Sequence, residues 1–124
     1  MQMIATCIRK TEGLTVGKRY AVFGLVHFPS RLELYIIDDY HQEDPYPYPV
    51  HWDAQWFKVT GHMAGDLQVS YSYQSLSVTV SLTAFPPEVD EEHFYDDPGA
   101  ADPEVFRQIR ALESMILSGG HSLG

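Results

Sequence analysis

The stretch that decides the fold runs from Leu14 to Val59 and holds three strand-like segments, LTVGKRYAVFGLV (residues 14–26), RLELYIID (residues 31–38) and WFKV (residues 56–59). Side chains alternate in two sets along Arg19–Val26 and again along Arg31–Asp38, with the period of two that a pleated strand imposes. A turn at residues 27–30 joins these two predicted strands. The stretch predicts most of a small β-barrel.

Residues on either side extend this prediction. Met3–Ile8 is apolar enough for a buried first strand, and a polar turn at residues 9–13 follows it. The three prolines between residues 45 and 49 remove amide donors, so that segment is limited to an edge strand or an extended arm. Asp53 is expected to cap one helical turn, and Phe57–Thr60 to form a closing strand before Gly61.

A second alternating pattern predicts a β-hairpin over residues 66–84. The phase of the apolar residues slips once, at Gln74-Ser75, so a turn there places apolar partners opposite each other on one buried face. The expected pairs are Tyr73 with Leu76, Tyr71 with Val78, Val69 with Val80 and Leu67 with Leu82. One long strand with a bulge at the same point is the competing interpretation.

Two different segments follow the hairpin, an acidic stretch and a predicted helix. Residues 85–101 hold six acids and no base, which predicts a solvated acidic loop. Asp102 as N-cap and Pro103 at the first helical position then predict a helix over residues 102–118, ended by Gly119 and Gly120. Its apolar stripe is Val105, Ile109, Leu112 and Ile116. The sequence thus predicts one mainly β domain over residues 1–124, with a barrel-like part at 1–60, the hairpin and one C-terminal helix.

Composition bounds the class of protein. A chain of 124 residues buries roughly two thirds of its unfolded surface, and a single cysteine, Cys7, cannot close an internal disulfide. Met1–Cys7 lacks the basic region and long apolar run of a secretory signal, and no segment reaches the ~18 apolar residues of a membrane helix. We expect a cytoplasmic protein that does not enter membranes.

The net charge of −9 is unevenly distributed. Residues 1–31 hold five bases and one acid, whereas residues 32–104 hold fifteen acids and only Lys58. Such a field repels nucleic acid and anionic membranes and speeds association with basic proteins. Excess acid that only keeps a small protein soluble is the alternative explanation.

No residue pattern predicts chemistry or a cofactor. The six histidines are scattered, and the acids at residues 38–44 lack the glycine and ligand spacing of a calcium loop, so no metal site is expected. Cys7 lies in a predicted buried strand, where a packing role is favoured over a nucleophilic one. The glycines do not form a phosphate-binding loop, because no helix start follows them at the required spacing. No catalytic residue is predicted.

The aromatic segment at residues 46–57 has two interpretations. Aromatic platforms that bind single-stranded nucleic acid are flanked by Lys and Arg, but here the neighbours are Glu43, Asp44 and Asp53. Rigid aromatics beside charge also resemble a protein-binding hot spot, whereas tryptophans that plug a barrel end are the structural alternative. These two interpretations stay open for Tyr46, Tyr48 and Trp52. Core positions are favoured for Trp56 and Phe57, which continue into a strand.

The motif Leu14-Thr15-Val16-Gly17-Lys18-Arg19-Tyr20, followed by Tyr35-Ile36-Ile37-Asp38-Asp39 and Trp56-Phe57-Lys58-Val59, resembles small SH3-like β-barrel proteins of bacteria and phages. The resemblance covers residues 10–60. It implies that the glycine-lysine stretch leads into a barrel strand and that the Asp-Asp pair begins a turn. Barrels of this type occur among immunity proteins of polymorphic toxin systems, as phage proteins and as adaptors.

Charge and resemblance together predict a non-enzymatic binding protein, most concretely an immunity protein that neutralises a toxin by occluding a basic site. The expected partner-binding residues are the acids and aromatics around the proline segment, namely Asp38, Asp39, Glu43, Asp44, Tyr46, Tyr48 and Trp52, with the acidic stretch Glu88–Asp97 as a further contact. One rival is a small-molecule-binding or enzymatic barrel with a pocket near Tyr46, His51 and Trp52. Another is a phage inhibitor that mimics the charge of DNA.

Overall fold

The structure is a computed structural model that describes residues 2–42, 47–63, 66–82 and 103–118. These residues form eight strands and two α-helices. The strands are β1 (Ile4–Cys7), β2 (Arg19–Ala21), β3 (Gly24–His27), β4 (Leu32–Ile36), β5 (Val50–Asp53), β6 (Phe57–Thr60), β7 (Leu67–Ser72) and β8 (Ser77–Leu82). The helices are the single turn α1 (Asp39–Gln42) and the longer α2 (Pro103–Ser118). The fold is mainly β with one long C-terminal helix, as the sequence predicts.

The strands form two antiparallel sheets that do not close into a barrel. One sheet has the order β2-β1-β6, and the other has the order β5-β4-β3-β8-β7. The second sheet stays open because β8 takes the edge of β3 that lies away from β4, and β7 then extends the sheet beyond it. The barrel-like part predicted over residues 1–60 therefore contributes to two sheets rather than to a closed barrel, and its strands form at nearly the expected positions.

The single strand predicted over Arg19–Val26 is two strands that belong to different sheets. At the break, the Val22 amide donates to the Met3 carbonyl at 3.2 Å, and the Phe23 amide donates to the Tyr35 carbonyl at 3.0 Å. Tyr20, Ala21, Val22 and Phe23 are all buried, which an alternating strand with one solvent face does not allow. The chain therefore bends at Val22–Phe23 and passes from the first sheet to the second.

The hairpin has the predicted register but not the predicted burial. Leu67 pairs with Leu82, Val69 with Val80 and Tyr71 with Val78, which excludes the single bulged strand. Most of its apolar side chains face solvent, however, whereas Ser77 and Ser81 on the opposite face are buried. Residues Leu67, Val69, Tyr71, Tyr73 and Leu76 are 45%, 67%, 53%, 84% and 56% exposed. The prediction that the apolar residues are buried together is therefore wrong for these five.

Helix α2 packs as its apolar stripe predicts. The four residues of the stripe are all buried. They share one cluster with Ile4 of β1, Leu82 of β8 and Phe23, which lies between β2 and β3. The helix starts at Pro103 as expected, while its predicted cap Asp102 and end Gly119–Gly120 lie outside the described residues. Among the described residues no helix is long and apolar enough to cross a membrane.

Three hydrogen-bonded side chains, Gln42, Arg110 and Glu113, hold α2 against α1, and we call them the polar clasp. Glu113 is 7% exposed and accepts hydrogen bonds from Arg110 Nη1 at 2.8 Å and Gln42 Nε2 at 3.1 Å. Arg110 also donates to the side-chain and main-chain oxygens of Gln42, and Gln42 Nε2 donates to the Ile37 carbonyl. The clasp thus links the helix to the end of β4, where the predicted partner-binding residues begin.

The predicted short turn before the closing strand is present. A 3-10 turn covers Ala54–Trp56, and the Asp53 carboxylate accepts a hydrogen bond from the Gln55 amide at 3.0 Å. Strand β6 follows directly and ends before Gly61, whose φ of +79° suits glycine. Both features follow the sequence prediction.

Candidate functional site

Asp38 was expected on an exposed loop, but it is only 4% exposed. Its Oδ1 accepts hydrogen bonds from the His41 amide at 3.2 Å and lies 2.6 Å from His41 Nδ1, and its Oδ2 accepts from Trp52 Nε1 at 3.0 Å. The carboxylate therefore caps α1 and ties this turn to β5. Because its oxygens are directed inward, Asp38 is not a free contact for a partner.

Asp39, the next predicted contact, is the centre of a second network. Thr15 Oγ1 donates to Oδ2 at 2.7 Å, and Lys18 Nζ and Tyr20 Oη donate to Oδ1, each at 2.8 Å. Burial works to raise the pKa of the Asp39 carboxyl, but these bonds and the Lys18 charge outweigh it and hold the pKa below its ordinary value of 3.8. The negative charge of the carboxylate is therefore already paired with Lys18 of the same chain.

Tyr20 completes this second network from inside the protein. Its hydroxyl accepts from the Thr15 amide at 2.9 Å while it donates to Asp39. Burial raises the pKa of the Tyr20 hydroxyl from 10 to about 12, the Thr15 bond opposes this shift, and the Asp39 carboxylate adds to it. The network fixes the residue 13–18 turn against α1, and the Asp39 amide adds a hydrogen bond to the Gly13 carbonyl at 2.8 Å.

The described aromatics of the proline segment are packed against the protein. Tyr48 is half-buried and stacks edge-on against His41, with ring centroids 4.7 Å apart. Trp52 is half-buried too and lies edge-on to Trp56 at 6.4 Å. Of the two interpretations left open by the sequence, packing describes Tyr48 and Trp52 better than free anchoring does. Phe57 is buried, as expected.

The remaining predicted contacts cannot be placed. Glu43, Asp44 and Tyr46, together with Glu88–Asp97, lie outside the described residues. Tyr40 comes directly before the first of these segments and is 61% exposed. Its hydroxyl donates to Glu12 Oε2 at 3.3 Å. Tyr40 is an exposed aromatic side chain beside an acid that the sequence reasoning did not select, although its place next to Glu43 and Asp44 was visible.

Two of the three residues of the rival pocket, His51 and Trp52, do not face a common cavity, and the third, Tyr46, lies outside the described residues. The two residues are neighbours in β5, so their side chains point to opposite faces of the sheet. His51 stacks on Tyr35 at 4.2 Å and contacts Glu33 Oε1 through Nδ1 at 3.1 Å, whereas Trp52 binds Asp38 on the other face. These two side chains cannot line one cavity.

Within the described residues, no three His, Cys, Asp or Glu side chains are grouped as a metal site requires. Two carboxylate–imidazole pairs exist, Asp38 with His41 and Glu33 with His51. In this part of the chain neither imidazole hydrogen-bonds a hydroxyl or thiol that it could activate. Cys7 is buried, and its thiol donates to the Arg9 carbonyl at 3.1 Å.

The most extensive exposed apolar surface described above is on the hairpin. We call Leu67, Val69, Tyr71, Tyr73 and Leu76 the hairpin patch. Its two tyrosine rings contact each other edge to face, with centroids 4.9 Å apart. No charged residue occurs from Leu67 to Leu82. An exposed strand face without charge is unusual, because strand faces in water usually carry some charge.

The surplus acid of the chain is concentrated in two stretches of the sequence. The described residues contain all eight Lys and Arg and eight of the seventeen acids, so their formal charge is zero. Seven of those eight acids accept a hydrogen bond or an ion pair within the described part: Glu12, Glu33, Asp38, Asp39, Asp53, Glu104 and Glu113. The nine surplus acids lie in residues 43–44 and 88–102.

No protein-family model, curated protein or solved structure matches the chain.

Proposed function

We propose that this chain is a non-enzymatic binding protein of the immunity type, which neutralises a toxin by covering a basic site. The observation that carries the proposal is the charge distribution in the sequence: residues 43–44 and 88–102 hold nine acids and no Lys or Arg, whereas the other residues hold eight acids and eight bases. Surplus charge confined to two segments suits a partner of opposite charge.

Tyr40 supplies an anchor beside the first acidic segment. It is exposed, it lies three residues before Glu43, and the single turn that carries it is held by the Asp38 and Asp39 networks. A rigidly held tyrosine adds contact area at a low entropic cost. We therefore assign anchoring to Tyr40 rather than to Trp52, and steering to Glu43, Asp44 and the acids of residues 88–97 rather than to Asp38 and Asp39.

The rival functions have less support. A protein that mimics DNA needs acids spread along its surface in the pattern of phosphates, whereas nine of the seventeen acids are concentrated in residues 43–44 and 88–102. An enzymatic or ligand-binding barrel needs His51 and Trp52 in one pocket, and they lie on opposite faces of β5. Protein binding is the class that agrees with both observations.

The test is association kinetics with the protein encoded beside this one, at low and high salt. The double variant Glu43→Lys/Asp44→Lys should slow association and flatten its salt dependence, whereas Tyr40→Ala should mainly speed dissociation. Asp66→Lys/Glu104→Lys is the control, because it changes the net charge equally on the scaffold. Equal slowing by both double variants would show that only net charge matters, and would remove residues 43–44 from the interface.

A biological assay complements the kinetics. Co-expression with the neighbouring gene should restore growth if that gene encodes a toxin, and Tyr40→Ala should weaken the protection. Full growth inhibition in the presence of the wild-type protein, with no measurable binding, would contradict the proposed function for that pair.

A further inference from the structure

The two sheets end in four edge strands, and one of them differs from the others. Strand β2 has three residues and includes Arg19, β6 has four and includes Lys58, and β5 has four and includes Asp53. Short length and charge are the usual means by which a free edge is kept from pairing with another chain. Strand β7 has six residues with neither charge nor proline, so it lacks both means of protection.

Strand β7 is also exposed on both faces. Each residue from Leu67 to Tyr71 is exposed, and among the described residues no strand pairs with its outer edge. Its main-chain donors and acceptors on that edge are available for a further ladder. The neighbouring strand β8 is uncharged too, and the nearest charged residue in the sequence is Asp66, directly before Leu67 at the end of β7.

We propose that β7 pairs antiparallel with β7 of a second copy of this chain, about a two-fold axis near Val69. In such a pairing residue numbers add to a constant, and a two-fold axis at Val69 puts Val69 opposite Val69 and Leu67 opposite Tyr71 of the copy. The odd-numbered apolar residues then meet one another on one face, and Gln68 meets Ser70 on the other. The surface is self-complementary, and this is why a second copy is the partner we choose.

The area buried by edge pairing is small. Leu67, Val69 and Tyr71 gain apolar neighbours only along the seam between the two copies, and Tyr73 and Leu76 lie in the turn beyond the paired strand. The buried area therefore stays below the roughly 1,000 Å² that a stable interface clears. We expect a weak dimer, held mainly by main-chain hydrogen bonds, that dissociates on dilution.

Charge makes this dimer dependent on salt. Each copy carries a net charge of −9, so two copies repel each other even though β7 and β8 are uncharged. Added salt screens that repulsion and should strengthen the dimer, whereas it should weaken binding to a basic partner. The opposite salt responses separate self-association from the proposed function, on which this inference does not depend.

The experiment is sedimentation equilibrium of the full chain over a range of concentrations. We expect a mass that rises towards twice 14.1 kDa, and more so at high salt. Val69→Lys should return it to one chain, because lysine at an exposed edge opposes pairing. The control is Val59→Lys, the same change at an exposed valine on the already charged edge β6, and it should leave the dimer intact. Circular dichroism should show both variants folded, since both sites are exposed.

Hydrogen exchange distinguishes edge pairing from stacking of the apolar faces. In an edge-paired dimer the outward amides of β7 should exchange at least tenfold more slowly at high protein concentration than at low concentration. A chain that stays monomeric at all concentrations would overturn the proposal. So would a dimer that survives Val69→Lys, or one in which β7 amides exchange equally fast at both concentrations.

Discussion

Trp52 Nε1 donates a hydrogen bond to Asp38 Oδ2 across 3.0 Å, and this bond joins β5 to the turn that follows β4. The acceptor is almost fully buried, and the donor belongs to a half-buried ring. Both residues were among the expected partner contacts, with a packing role left open for Trp52, and the pair forms part of the scaffold that supports Tyr40. Stability, rather than affinity, should therefore respond first when either residue is changed.

Asp38→Ala should lower the free energy of unfolding by about 2–4 kcal/mol. The change leaves the Trp52 N–H unpaired and removes the cap of α1, which cost roughly 1–3 and about 1 kcal/mol respectively. Urea denaturation is the measurement. Asp66→Ala is the control, because Asp66 is exposed, and it should stay within ~0.5 kcal/mol of the wild type. Equal midpoints for the two variants would contradict the structural role of Asp38.

The lowered pKa of Asp39 predicts that the protein loses stability in acid. Its folded-state pKa is held below the ordinary 3.8, so its contribution is complete above that pH and disappears as the pH falls through the lower folded-state value. The difference in unfolding free energy between wild type and Asp39→Asn should be constant above about pH 5 and shrink below pH 4. Urea midpoints measured from pH 7 to pH 2 test this. A difference that does not change with pH would show that Lys18 and Tyr20 do not favour the charged form.

Gly13 and Gly17 offer a matched pair of substitutions. Both have positive φ, +86° and +84°, so alanine costs about 1–2 kcal/mol of backbone strain at either site. At Gly13 a Cβ would also lie 2.7 Å from Cε2 of Tyr40, whereas nothing lies within 4 Å at Gly17. Gly13→Ala should therefore be the more destabilising change in thermal unfolding.

The excess cost at Gly13 is attributable to Tyr40 and can be checked directly. In the Tyr40→Ala background, Gly13→Ala should cost no more than Gly17→Ala does, because the clashing ring is gone. An excess that persists in this background would assign the cost to the Trp52 ring, 3.3 Å away, instead.

Replacing Glu113 should reduce stability much more than replacing Glu104. Each pairs with an arginine three residues away in α2, Glu113 with Arg110 and Glu104 with Arg107. Glu113 is buried and holds Arg110 and Gln42, so Glu113→Ala should cost about 2–3 kcal/mol. Glu104 pairs with Arg107, whose side chain is 76% exposed, so Glu104→Ala should cost less than ~1 kcal/mol. Urea denaturation compares them. Similar costs would mean that the clasp to α1 contributes no more than a surface ion pair.

The periodicity of apolar residues predicted which side chains share a face of a strand or helix, but not which face the rest of the protein covers. The hairpin register followed from the phase slip at Gln74-Ser75, and the buried face of α2 followed from its apolar stripe. A period of two states which side chains share a face, yet it contains no information about which face meets the rest of the protein. For this reason Val69 was assigned to the core and is exposed, while Ser81 is buried.

The candidate site was harder to predict, because its geometry depends on pairing between distant segments. Trp52 reaches Asp38 only because β5 pairs with β4 and places Trp52 opposite Leu34. Likewise, Asp39 meets Lys18 and Tyr20 across about twenty residues of sequence. A sequence pattern identifies such acids as charged and near a turn, but their partners are set by tertiary structure. Tyr40 could have been selected from its position beside Glu43 and Asp44.

The bend at Val22–Phe23 has a consequence for how the protein unfolds. Two successive amides serve different sheets, one bonded to Met3 and the next to Tyr35. Neither sheet can lose this segment without disturbing the other, so the two sheets should melt in one cooperative transition rather than as separate units. The slowest-exchanging amides should accordingly include Val22 and Phe23, because the opening that exposes them is global unfolding of the described β structure.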